Sequence, residues 1–251
     1  MRAAFGKDEL ENVFEAVGRR IPRRMKVFLL GGGAMAFRGQ KVATKDLDLV
    51  FDTLSDCRAF SKAISSLGFA QKHVLTPAYS KMDAAGGIWQ DADGFRFDLF
   101  VGTVCNALKL SVGVKKRSAL LSSFGKLGVM LVSNEDVILF KSITERQGDS
   151  NDIAAIVASA PVDWETVLAE CRAQSGKRPW YGSLVDKFAD LKERHGIDAP
   201  IAGQVQKLYE LSAIRESYRI KRKKGLTNKQ AVAQLKKDGF TAKELKEAGV
   251  A

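Results

Sequence analysis

Only two histidines, His73 and His195, and three cysteines, Cys57, Cys105 and Cys171, occur in the 251 residues. Neither histidine stands near a candidate nucleophile or a second metal-binding side chain in the sequence, which all but closes imidazole catalysis and zinc sites. The cysteines are far apart, so there is no disulfide framework and no C-x-x-C metal or redox spacing; a reducing, cytoplasmic setting fits. No apolar stretch approaches the ~20 residues that span a bilayer. The longest, Met25 to Phe37, is broken by Lys26 and three glycines. The start of the chain, with Asp8, Glu9 and Glu11 among its apolar residues, reads as an amphipathic helix and not as a secretory leader. No repeat with a period of roughly 20–50 residues is present.

Positive charge is what the chain has in excess. Forty Lys and Arg face 29 Asp and Glu, a formal charge of +11, and the 45% hydrophobic content supports a packed core and excludes disorder. Residues 211–251 hold eleven basic and four acidic side chains, so most of the excess lies at the end of the chain. That favours a polyanionic partner such as nucleic acid or a nucleotide.

Periodicity organises the rest. Val13, Phe14 and Val17 recur at helical spacing up to Gly18, a short apolar strand runs from Lys26 to Leu30, and Gly31, Gly32 and Gly33 follow it. Ala34 to Phe37 opens a helix that Gly39 weakens. Asp46 to Phe51 reads as a strand with Asp46, Asp48 and Val50 on one face. A helix is expected over 56–69, a turn at 85–87, strands around Ile88–Trp89 and over Phe95–Val101, and a short strand over Val129–Val132. In the Phe95–Val101 strand Arg96, Asp98 and Phe100 share a face, so Asp98 is a carboxylate in an aromatic strand. Ser133 begins a capping-box pattern whose helix is expected to reach about Arg146. On such a helix Lys141, Glu145 and Asp149 would share one face, with Asp152 close to it. Beyond Pro161 the pattern is wholly helical, and Thr227 and Thr241 each precede a short helix, a helix-turn-helix-like pair over 227–248. The expected division is a core over 1–157 and a helical region with a basic tail over 158–251.

Asp46 and Asp48 on one strand face, with Asp98 available from a neighbouring strand, form a candidate three-carboxylate site for Mg²⁺, which takes oxygen ligands from few carboxylates plus substrate phosphates. Glycines after a strand complement it, because backbone N–H groups in a tight turn cradle phosphate.

These residues resemble a known family. The segment Leu30 to Val50, LGGGAMAFRGQKVATKDLDLV, is similar to the glycine pair and Asp-x-Asp signature of the polymerase β-type nucleotidyltransferase superfamily. It looks most like the minimal archaeal and bacterial branch related to abortive-infection toxin-type nucleotidyltransferases. Phe97 to Phe100, Glu135-Asp136, Lys141, Arg146, Asp149 and Asp152 match that branch, and the resemblance covers about residues 25–157. It implies an α+β nucleotidyltransferase fold, with a mixed sheet flanked by helices and followed by a helical C-terminal region. It implies Mg²⁺-dependent transfer of a nucleoside monophosphate from an NTP to an acceptor hydroxyl, for which the basic tail suggests RNA or tRNA. A protein or small-molecule acceptor stays open, as does an antitoxin or a second copy of the chain as partner. By the resemblance Asp46 and Asp48 bind the catalytic metals, with Asp98 as third carboxylate and base. Gly31 and Gly32 hold the triphosphate, and Lys141 and Arg146 neutralise phosphate charge. Two departures stand out: the superfamily often has Gly-Ser where this chain has Gly31-Gly32, and many relatives carry arginine at Val42, so that a phosphate or substrate contact is either missing or supplied by Lys41 or Lys45.

Plainer readings compete. Asp46 and Asp48 would also suit a solvated edge strand, Asp98 a salt bridge with Arg96, Lys141 and Arg146 an ordinary surface, and Asp149 and Asp152 pairing with helix charges. Lys221 to Lys224 would suit a solvated helix end, although Arg215, Tyr218 and Arg219 nearby favour phosphate contact. A non-catalytic nucleotide- or RNA-binding module with the same fold is the main alternative. A more distant one is an NAD(P)-binding Rossmann protein, since Gly31-x-Gly33-x-x-Ala36 after a strand and Asp52 further on also fit the dinucleotide fingerprint.

Overall fold

The computed structural model describes residues 5–72, 86–105, 107–144, 146, 148–176 and 179–251; His73, Ala85 and Glu145 lie outside them. The chain divides into two compact units, Met1–Glu170 and Cys171–Ala251, where the sequence reading draws its boundary after residue 157.

The first unit runs α1 (Lys7–Gly18), β1 (Met25–Leu30), α2 (Gly31–Phe37), β2 (Asp46–Phe51), α3 (Leu54–Ser65), β3 (Ala70–Lys72), β4 (Gly87–Gln90) and β5 (Arg96–Val101). There follow β6 (Thr103–Val104), β7 (Leu108–Lys109), α4 (Val112–Arg117), β8 (Ala119–Phe124), β9 (Leu127–Leu131), α5 (Asn134–Ser142), α6 (Gly148–Ser159) and most of α7 (Trp164–Ser175). The main sheet has the order β3-β4-β5-β2-β1-β9-β8. It is mixed: β2 pairs parallel with β5 and β1 parallel with β9, while the other neighbours are antiparallel. The fold is the expected α+β arrangement of a mixed sheet flanked by helices.

Alternation along the central strands sorts core from site. Leu47, Leu49 and Phe51 of β2 and Phe97 and Leu99 of β5 are fully buried. Phe60 of α3 packs on them, its ring centroid 5.2 Å from that of Phe51 and 5.4 Å from that of Phe97. Such aromatic contacts stabilise beyond the area they bury. Helix α1 buries Leu10, Phe14 and Val17, an i, i+4, i+7 stripe. The acids of β2 fall on the other face of the sheet.

Three expectations need correction. The helix expected over 56–69 spans Leu54–Ser65, because Thr53 caps it by accepting the Asp56 N–H, and the chain then leaves through Gly68 at φ +92°. The helix expected to reach Arg146 stops at Ser142, where the Thr144 hydroxyl donates to the Lys141 carbonyl at 3.0 Å and competes with the helical ladder. Lys141 and Asp149 therefore stand on two helices, α5 and α6, and not on one face. Finally, β2 returns antiparallel to β1. A dinucleotide fold requires a parallel βαβ unit there, so the Rossmann reading is overturned.

The second unit is helical, with α8 (Tyr181–His195), α9 (Ala202–Lys223), α10 (Asn228–Lys237) and α11 (Ala242–Glu247). Thr227 and Thr241 form reciprocal capping boxes with Gln230 and Glu244. Ile214, Leu235, Leu245 and Ala248 make the small core that holds the last two helices against α9. No helix among the described residues is long and apolar enough to cross a membrane.

Candidate functional site

Parallel pairing of β2 with β5 sets Asp48 opposite Asp98 and Asp46 opposite Arg96. Partners in register project to the same side, so one sheet face carries three carboxylates and one guanidinium. Asp46 and Asp48 are partly exposed. Asp98 is buried, and Arg96 grips both of its oxygens through Nε and Nη2. The salt bridge expected as the plain reading of Asp98 is therefore formed. Among the described residues no group of three His, Cys, Asp or Glu side chains is arranged to hold a metal ion. Two carboxylates on one strand remain, a donor set that suits Mg²⁺ when substrate phosphates complete its shell.

Crowding shows in the acid–base behaviour of this face. Burial, then Asp46, then Asp98, pushes the Asp48 carboxyl up to about 8, against the pull of Arg146 and Lys141. Burial also raises Asp98, while Arg96 opposes the rise. A bound cation would relieve this repulsion.

The glycine turn is built around Asp48. Leu30 lies opposite Asp48 in the β1–β2 register, and Gly31 follows with φ +63°, a left-handed conformation that disfavours any Cβ. A Cβ there would also collide with Asp48 Oδ2. Gly31→Ala is therefore expected to cost about 1–2 kcal/mol from conformation alone and to displace the carboxylate; thermal unfolding and transfer assays would register both. At Gly32 a Cβ would lie 2.7 Å from Thr44 Oγ1, so the serine often found there in the superfamily has no room. The Thr44 hydroxyl occupies that place and donates to the Asp46 carbonyl at 2.9 Å.

Cations gather beside the turn. Lys41 Nζ is 3.8 Å from the Cβ position of Gly32 and donates to both oxygens of Asp152 at 2.9 and 3.0 Å. Val42 is 95% exposed and takes no part. Lys141 donates to Asp149 at 2.9 Å and to Asp152 at 2.7 Å. Burial works against its charge, but the two carboxylates outweigh burial and raise the ammonium above its ordinary value. Lys141, Arg146, Asp149, Gly31 and Asp48 line one slot of about 70 Å³. Burial also opposes the charge of Arg146, and Asp48, Asp149 and Asp46 more than restore it. Of the residues named as site candidates, Asp46, Asp48 and Asp98 thus share one sheet face, Gly31, Lys141 and Arg146 line the slot that Asp48 also borders, and Gly32 lies against Thr44 and Lys41.

Asp152, expected to pair with helix charges, does pair with Lys141 of α5, and it also holds Lys41, a contact the sequence does not signal. One residue of the slot carries no sequence signal. Cys105, at φ +52°, is the non-glycine residue with positive φ among those described, and it lines the slot. Burial, reinforced by Asp48, pushes its thiol up to about 11, so it stays protonated and is no nucleophile.

In comparison with known families, residues 8–194 match the one described as nucleotidyltransferase of unknown function (DUF6036). No curated protein matches the chain.

Proposed function

The chain belongs to this nucleotidyltransferase family, and on that premise we propose a Mg²⁺-dependent enzyme that moves a nucleoside monophosphate from an NTP to an acceptor hydroxyl of RNA, tRNA included. The observation that carries the reading is the Asp46–Asp48 pair on one sheet face with Gly31 held against Asp48.

In the proposed reaction the acceptor oxygen bonds to the α-phosphorus, the bond from that phosphorus to the bridging oxygen breaks, and pyrophosphate leaves. Asp46 and Asp48 would hold Mg²⁺, which supplies charge neutralisation at the reacting phosphate when bound. Gly31 and Gly32 let the turn pack against Asp48 and Thr44, and their backbone N–H groups would cradle the triphosphate. Lys41, Lys141 and Arg146 face the charge that develops on the leaving group, held in place beforehand by Asp152 and Asp149. Asp98 takes the acceptor proton once one of its oxygens leaves Arg96.

A second reading draws on the grip of Arg96 on Asp98: a binding module that holds nucleotide or RNA and transfers nothing. Incubation with each α-³²P-labelled NTP, Mg²⁺ and total cellular RNA, beside Asp46→Asn/Asp48→Asn, separates the two. Label in an RNA band with the unsubstituted protein alone supports transfer. Label in no product at all, with nucleotide binding indifferent to the substitutions, leaves the binding module. A toxin-type role, which the resemblance suggests, predicts that expression arrests growth only when both aspartates are intact.

A further inference from the structure

The second unit carries almost all of the chain's excess charge: eighteen Lys and Arg against nine Asp and Glu in residues 171–251, or +9 of the total +11. Within this unit lies an open groove of about 820 Å³ between the start of α8 and the middle of α9. Its lining is selective. Lysines outnumber arginines twelve to six in the unit, yet the groove's described walls contain Arg172, Arg215 and Arg219 and no lysine. Three aromatic side chains, Trp180, Tyr181 and Tyr209, share the same walls.

We propose that this groove binds a single-stranded segment of RNA, with unpaired bases stacked on Trp180 and Tyr209 and phosphates met by the three arginines. The inference rests on the RNA-acceptor reading above and gives it a place on the molecule. Arginine combines a planar face for stacking with a fork that matches phosphate, and aromatic platforms take any base. The groove is built to present these groups. Tyr209 is 44% exposed, and its ring lies where a Cβ on Gly182 would come within 3.1 Å, so α8 supports one part of the ring and leaves another open. The Trp180 backbone N–H donates to Ser175 Oγ at 3.3 Å, tying the main chain there to the end of α7. Arg215 Nε donates to the Ala248 carbonyl at 2.9 Å, and Glu216, the acid in the lining, pairs with Arg219 at 2.6 Å and orients it.

The test is fluorescence anisotropy of labelled 12-nucleotide oligo(U) and oligo(A), and of a 12-base-pair RNA duplex, with the full-length chain. Both single strands are expected to bind at least tenfold more tightly than the duplex. Tyr209→Ala should weaken single-strand binding by about tenfold, within the range of one lost base stack. Tyr209→Phe should retain binding, and the Arg172→Gln/Arg219→Gln pair, both exposed, should weaken it without lowering the thermal midpoint. No single-strand binding, equal binding of the duplex, full displacement by millimolar ATP, or indifference to all of these substitutions would overturn the proposal. Asp46→Asn/Asp48→Asn keeps the two readings apart. RNA binding that survives it and fails in Tyr209→Ala upholds the groove even if no RNA is ever labelled; labelled RNA with unaltered binding in the groove variants upholds transfer alone.

Discussion

Asp48→Asn is expected to lower nucleotidyl transfer by about 10³-fold, the scale of losing one preorganised electrostatic group at a reacting centre, while making the cation-free protein more stable at alkaline pH. The second effect follows from the crowding of Asp46, Asp48 and Asp98. The unfolded chain releases the Asp48 proton near 3.8, and the folded chain holds it up to about 8. Between those values the folded state binds more protons, so stability falls as pH rises through the window and levels off above it. Asparagine removes this penalty. The advantage of the variant should grow from about pH 4 to pH 8; full burial would make it ~6 kcal/mol at ~1.4 kcal/mol per pH unit, and because Asp48 is partly exposed solvent screening brings it down to on the order of 2 kcal/mol, or ~5 °C in midpoint. Thermal melts in EDTA across this range measure it. Mg²⁺ should then raise the midpoint of the unsubstituted protein at pH 8 and leave that of Asp48→Asn nearly unchanged. A variant with the same pH profile as the parent would show that Asp48 is not strained in the fold.

Arg117→Met is expected to destabilise the first unit by about 3 kcal/mol, toward the lower end of what removing the charged partner of buried carboxylates costs. Arg117 Nη2 donates to Asp136 Oδ1 and to Glu170 Oε2, each at 2.6 Å, and its Nε donates to Asp136 Oδ2 at 2.9 Å. The two carboxylates are 1% and 5% exposed, and together they raise the guanidinium above its ordinary value, Asp136 first. Methionine fills similar volume and provides no charge, so Asp136 and Glu170 lose their shared cation and keep the hydroxyls of Ser133 and Ser111 as weaker partners. Arg117→Met/Asp136→Asn/Glu170→Gln should recover much of the loss, because neutral amides tolerate the site better. By contrast Lys192, paired with Asp198 where both are largely exposed, should accept methionine with no shift in midpoint. Chemical denaturation of the set distinguishes a buried network from a surface pair.

The parts of this fold that could be read from the sequence are those governed by local pattern. Strand β2 has the bounds the alternation of Asp46 to Phe51 indicates, because a strand with one polar face announces its own register. The capped ends at Ser133, Thr227 and Thr241 were likewise legible, since one hydroxyl and the N–H three residues on decide them. What pairing decides was not legible. Strand β8 is mostly exposed and serine-containing, without alternation, and exists because β9 completes it. The meeting of Lys141 with Asp149 was anticipated for the wrong reason: helical spacing suggested it, and packing of α6 on α5 produces it. Lys41 reaching Asp152 across 111 positions carried no local signal at all.

The pairing of Arg96 with Asp98 has a bearing on time. Both side chains belong to one strand, two residues apart, so freeing an Asp98 oxygen requires only side-chain rotation and no movement of helix or domain. Exposed side chains rotate within nanoseconds, and burial of both partners slows this pair toward the microsecond range of loop motions, still faster than the roughly 1–10³ turnovers per second of typical enzymes. The pair therefore re-equilibrates many times within each catalytic cycle. It can lower the fraction of molecules ready to react, but it cannot impose a waiting period, and progress curves begun by adding nucleotide should be linear from the first turnover.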